Sequence, residues 1–110
     1  MSAEQQLDDD REATLRRLAA LTRDLEALME ATADVPDDEH DPEGATIAFE
    51  RAQVVSLISA ARRHLREIDA AVARLRTGAH GICERCGSDI GHERLLARPS
   101  ARACVHCTEA

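Results

Sequence analysis

Cys83, Cys86, Cys104 and Cys107 form two C-x2-C pairs separated by seventeen residues. That spacing falls in the window of roughly 15–20 residues that joins the two halves of a zinc ribbon or a related module. A two-residue gap lets both sulfurs of one pair reach a single tetrahedral ion. Four thiolates close the coordination sphere and leave no position for water or substrate, so the reading is one structural Zn²⁺ and not a catalytic one. Gly87 follows Cys86 directly, where the chain must turn tightly and leave amide N–H groups facing the sulfurs. The same thiols allow other chemistry: two disulfides, a thiol redox switch, or a three-cysteine site completed by His80, His92 or His106. His106 lies inside the second pair, where its ring is poorly placed to join both flanking cysteines on one ion. His40 and His64 read as solvated surface residues. No nucleophile–base pair stands out, and an enzyme is not expected.

The second group able to do chemistry is acidic. Residues 34–44 hold six carboxylates, two prolines and a glycine. Carboxylates crowded into a turn can pair with Arg and Lys of a partner or perturb a divalent ion that it holds.

The elements that position these groups are helices. Ser2 with Gln5 resembles a capping box, and Asp8, Asp9 and Asp10 suit the N-terminal end of a helix over about 4–33. Leu18, Leu21, Leu25 and Leu28 follow the 3-4-3 spacing of a heptad seam, with Leu15 beside it. Pro36, Pro42 and Gly44 mark the break. A second helix runs over about 42–77, with Asp41 as its cap and Pro42 at its first position. Val54, Ile58, Ala61, Leu65, Ile68, Val72 and Leu75 give three heptads of seam, and Gly78 is a fitting C′ stop. Each helix has one apolar stripe, which is buried most readily against the other. The expected fold is therefore mainly α: an antiparallel two-helix coiled-coil hairpin over 1–77 with its acidic tip at 34–44, then a four-cysteine zinc-finger module over 78–110. Phe49 is expected to pack near the tip against Val35 or Leu28. The last segment has too little apolar area to fold without its metal.

Composition agrees. Phe49 is the single aromatic residue, and all fourteen basic residues are Arg. The net charge of -7 is uneven: residues 1–50 hold four Arg against fifteen acids, and residues 51–110 hold ten Arg against six. An acidic half and a mildly basic half suit a directional partner. A non-specific nucleic-acid binder normally shows a strongly basic face, so direct DNA binding is not expected. No apolar run approaches the roughly 20 residues of a membrane span, and the N-terminus has no signal-peptide core. The default compartment is the cytoplasm.

Gly81, the four cysteines, Gly87, Ile90, Arg94, Leu95, Ala97, Pro99 and Ala101 match every fixed position of G-x-C-x-x-C-G-x-x-I-x-x-x-R-L-x-A-x-P-x-A-x-x-C-x-x-C. This stretch closely resembles the DksA/TraR zinc-finger family, and the hairpin ahead of it extends the resemblance over nearly the whole chain. The resemblance implies a transcription regulator that binds RNA polymerase directly, without binding DNA. It implies that the hairpin enters the secondary channel and that the tip acts near the active site to alter initiation. The family tip reads D-x-x-D-x-A. Anchored on Asp41, its positions fall on Asp41, Gly44 and Thr46, with Glu43 between, so the second acid and the alanine are replaced here. These four residues are the candidate partner-binding set. Arg94 and Arg98 are candidates for holding the finger against the hairpin base or for touching polymerase. The longer members continue into a C-terminal helix that contributes to binding the alarmone ppGpp. Only three residues follow Cys107, so ppGpp responsiveness is not expected. The alternatives in other classes are a zinc-stabilised protein-interaction module and a thiol redox sensor.

Overall fold

Ser2 starts the first helix as anticipated. The Gln5 N–H donates to Ser2 Oγ at 3.1 Å. The Gln5 side chain does not return to complete the box but reaches forward to Asp9 Oδ1 at 2.9 Å. In the computed structural model, which describes residues 1–33 and 42–108, helix α1 spans Ala3–Ala33 and helix α2 spans Pro42–Thr77. Two short helices follow, α3 over His92–Ala97 and α4 over Val105–Thr108. The described residues contain no strand, only an isolated antiparallel bridge between Ile82 and Asp89. No helix among them is long and apolar enough to cross a membrane. Gly78 ends α2 at φ +79°. Its N–H donates to the Leu75 carbonyl at 3.3 Å, and the Ala79 N–H donates to that of Arg74 at 2.9 Å. This is the paired closure of a Schellman motif, which needs the left-handed conformation that glycine adopts without strain.

The described residues form two compact units. The first joins Met1–Thr14 to His64–Ala110. Its helical core is Leu7, Ile68 and Ala71, all fully buried, with Val72 and Leu75 packed against them. Leu7 is the residue that the heptad reading of α1 passes over. Stepping back by sevens from Leu21 meets Thr14 before Leu7, and a threonine masks the repeat. Thr14 is 7% exposed and its hydroxyl donates to the Asp10 carbonyl at 2.7 Å, so it is buried without an orphaned group. Arg11 is ion-paired with Asp69, and both Asp10 carboxylate oxygens lie 3.0 Å from His64 Nε2. His64 is thus engaged rather than merely solvated. These pairs set the start of α1 antiparallel to the end of α2.

The second unit is Leu15–Arg63. Leu21, Ile58 and Ala61 are its buried residues. Asp24, Ala27 and Leu28 of α1 share a groove with Glu50, Gln53 and Val54 of α2, again in antiparallel order. Leu15 is 44% exposed and adds little to the stripe. Phe49, expected to pack, is 71% exposed. Val35 and the whole turn over 34–41 lie outside the described residues.

Candidate metal centre

The finger folds around its own small core of Cys83, Ile90, Ala101 and Cys104, with Leu95, Ala103 and Cys107 packed against it. The first cysteine pair sits on a tight turn. The Gly87 N–H donates to the Cys83 carbonyl at 2.9 Å, and the Cys83 N–H donates to that of Ser88 at 2.8 Å. Gly87 takes φ +74° there, the tight turn anticipated at this position. The second pair straddles the start of α4, where the Cys107 and Thr108 N–H groups donate to the Cys104 carbonyl at 3.1 and 3.0 Å.

These two turns bring together the sulfurs of Cys83, Cys86, Cys104 and Cys107, all within 4.8 Å of one another. Cys86 Sγ and Cys104 Sγ are 3.8 Å apart. A tetrahedral ZnS₄ centre with Zn–S bonds of about 2.3 Å has S···S edges of about 3.8 Å, so the cluster has the size of that ion's coordination sphere. Four soft thiolates with no oxygen donor suit Zn²⁺ and exclude Mg²⁺ or Ca²⁺. Among the described residues this is the only group of His, Cys, Asp or Glu placed to hold a metal, and no imidazole belongs to it. His80 instead turns Nε2 to the Pro99 carbonyl at 3.0 Å.

The electrostatics of the cluster are those of a site short of positive charge. Backbone N–H groups of Cys104, Cys86 and Arg85 pull the Cys83 thiol down to about 6. The Ser88 hydroxyl and N–H lower Cys86 as well. The Cys104, Cys83 and Cys86 side chains push Cys107 up to about 12. Directed N–H donors stabilise the first thiolates, and the crowding of sulfur keeps the last one protonated until a cation replaces the proton.

Around the cluster, arginines tie the loops. Arg94 Nε donates to the Ala103 carbonyl at 3.0 Å, and its terminal nitrogen donates to Thr108 Oγ1 at 3.1 Å. The hydrogen bonds of Arg94 therefore brace α3 against the second cysteine pair, while its side chain shares a pocket with Glu67 of α2. The residue that reaches from α2 into the finger is Arg74, facing the Ser100 and Ala101 carbonyls and Glu84. Sequence reasoning missed it because an arginine in the last turn of a helix is already accounted for by the helix dipole. Of the candidate tip residues, Asp41 lies outside the described residues. Glu43 is in the first turn of α2, with its side chain likewise outside them. Gly44 and Thr46 lie on α2, Gly44 half-buried and Thr46 exposed.

Residues 78–110 match the prokaryotic dksA/traR C4-type zinc-finger family. The chain is 31% identical to the RNA polymerase-binding transcription factor DksA of Caulobacter vibrioides, over 90% of this chain and 66% of that one. It is 27% identical to general stress protein 16O of Bacillus subtilis, over 82% of this chain and 56% of the relative. Among solved structures, transcription factor DksA2 of Pseudomonas aeruginosa superposes with a TM-score of 0.54 at 30% identity, covering 96% of this chain and 82% of that one. The chain spans less than two thirds of the length of the first curated relatives that it matches, 31% and 27% for two of them.

Proposed function

The chain belongs to the DksA/TraR family of C4-type zinc-finger proteins, and from that premise we propose that it is a non-enzymatic transcription regulator that binds RNA polymerase directly. In this reading Cys83, Cys86, Cys104 and Cys107 hold one structural Zn²⁺ that keeps 78–108 folded. The α1–α2 hairpin enters the polymerase secondary channel, and the acidic turn acts there on initiation through Asp41, Glu43, Gly44 and Thr46. No DNA contact is involved. The observation that carries the proposal is the likeness to DksA2, which extends over 96% of the chain and so includes both the paired helices and the finger. Charge supports it too, since 34–44 hold six acids and neither Arg nor Lys and favour a basic or cation-holding partner surface.

The test is transcription in vitro with purified polymerase on several promoters, with and without the zinc-loaded protein. The expected result is a change in initiation on at least some promoters. Asp41→Asn should reduce that change while leaving polymerase binding largely intact. Unchanged output on every promoter at saturating protein would sink the proposal. An effect indifferent to Asp41→Asn would demote the turn to a mere connection.

A further inference from the structure

Arg74 lies in the last turn of α2, and its side chain is only 13% exposed. One terminal nitrogen faces the carbonyls of Ser100 and Ala101 at 3.4 and 3.5 Å. The other lies 3.7 Å from Glu84 Oε1. None of these acceptors belongs to a helix. Ser100 is 6% exposed, and Ala101 is part of the finger core together with Cys83 and Cys104. Glu84 stands between the first two cysteines, its N–H donating to the Arg102 carbonyl at 3.0 Å and its carboxylate 3.3 Å from Arg102 Nε. At its other end Arg74 belongs to the paired helices. Its carbonyl accepts from the Ala79 N–H at 2.9 Å and from Thr77 Oγ1 at 3.1 Å, closing α2. Three residues earlier, Ala71 is fully buried with Leu7 and Ile68.

A guanidinium is planar and carries five N–H donors, so it can serve three acceptors in two segments at once, which an ammonium on a flexible stem does less well. A cation so far removed from water depends on those acceptors, and losing them leaves it poorly solvated. The acceptors have little apolar support of their own, because the finger core is small and half of it is cysteine. Their positions depend on whatever gathers the four sulfurs. We infer that Arg74 is a positioning residue that couples metal-dependent order in the finger to the paired ends of α1 and α2 in the same unit. With the metal bound, the acceptors are fixed and the last turns of α2 are held closed. Without it, Arg74 loses its partners, and the helix ends around Leu7, Ile68 and Ala71 open more often. The inference rests on the four-cysteine zinc reading above, and its test separates the two.

The experiment is amide hydrogen exchange on the full chain, zinc-loaded and chelated, for the wild type, Arg74→Ala and Arg74→Lys. Co²⁺ substitution of each protein reports the thiolate site independently through its sulfur-to-cobalt absorption. In the wild type, removing the metal should speed exchange over 3–14 and 65–77 by about tenfold or more. Arg74→Ala should keep the cobalt spectrum and its stoichiometry, while the metal-dependent change at the helix ends falls below about twofold; Arg74→Lys should restore part of it. A merely stabilising arginine would shift both forms equally and leave their difference intact. That result overturns the inference, as does loss of the cobalt site in Arg74→Ala or a wild type whose helix ends ignore the metal. A wild type that takes up no cobalt overturns the zinc reading itself and the coupling with it, and the spectrum identifies that outcome at once.

Discussion

Within the cluster, Cys83 is held down to about 6 by N–H donors, while Cys107 is pushed up to about 12 by the sulfurs around it. Between pH 7 and 9 the Cys107 thiol is therefore protonated and Cys83 is not, so metal binding must expel at least the Cys107 proton. Raising the pH removes that competition. Zinc affinity should rise by about tenfold or more per pH unit across this window, measured against a chelator of known affinity. A pH-independent affinity would mean that Cys107 is not a ligand. Arg94 makes a different expectation checkable, because both of its hydrogen bonds lie within the finger. Arg94→Ala should destabilise the zinc-loaded finger by about 1–3 kcal/mol in denaturant titration, with the helical signal changing little. The four cysteines were legible from spacing alone. The parts played by Arg74 and Arg94 were not, because an arginine's reach covers several segments and nothing in its neighbours along the chain says which one it meets.

For the helices, period did most of the work. Val54, Ile58, Ala61, Leu65, Ile68, Val72 and Leu75 are all buried or half-buried on α2, as a heptad seam requires. Gly78 closes that helix as read from sequence. On α1 the seam was legible from Leu18 to Leu28, but its most buried member, Leu7, lay hidden behind Thr14. A threonine that returns its hydroxyl to the preceding turn sits in a core position without looking apolar. The lone aromatic misled in the other direction, since size argues for burial but Phe49 lies outside the stripe. Leu7 gives the element-scale prediction. It is fully buried against Ile68 and Ala71, so Leu7→Ala should cost roughly 2–5 kcal/mol in thermal or denaturant unfolding. Phe49→Ala, at an exposed position, should cost within about 0.5 kcal/mol. A Leu7→Ala cost as small as that expected for Phe49→Ala would mean that the α1 register is wrong.

Over the whole molecule, charge and family both support the proposed protein partner. Fifteen acids and four bases in residues 1–50 oppose binding to a polyanion, and the chain's relatives include a factor described as RNA polymerase-binding. The finger signature was fully legible in the sequence. The proposed partner was legible only through resemblance, because helical period and thiol spacing specify a scaffold and not what it touches. The central claim is direct engagement of polymerase, and the most direct measurement is equilibrium binding of the zinc-loaded 110-residue chain to core RNA polymerase in the absence of DNA. The account predicts a saturable one-to-one complex that weakens as salt rises. No detectable complex at low salt, with the zinc site shown to be intact, would contradict it.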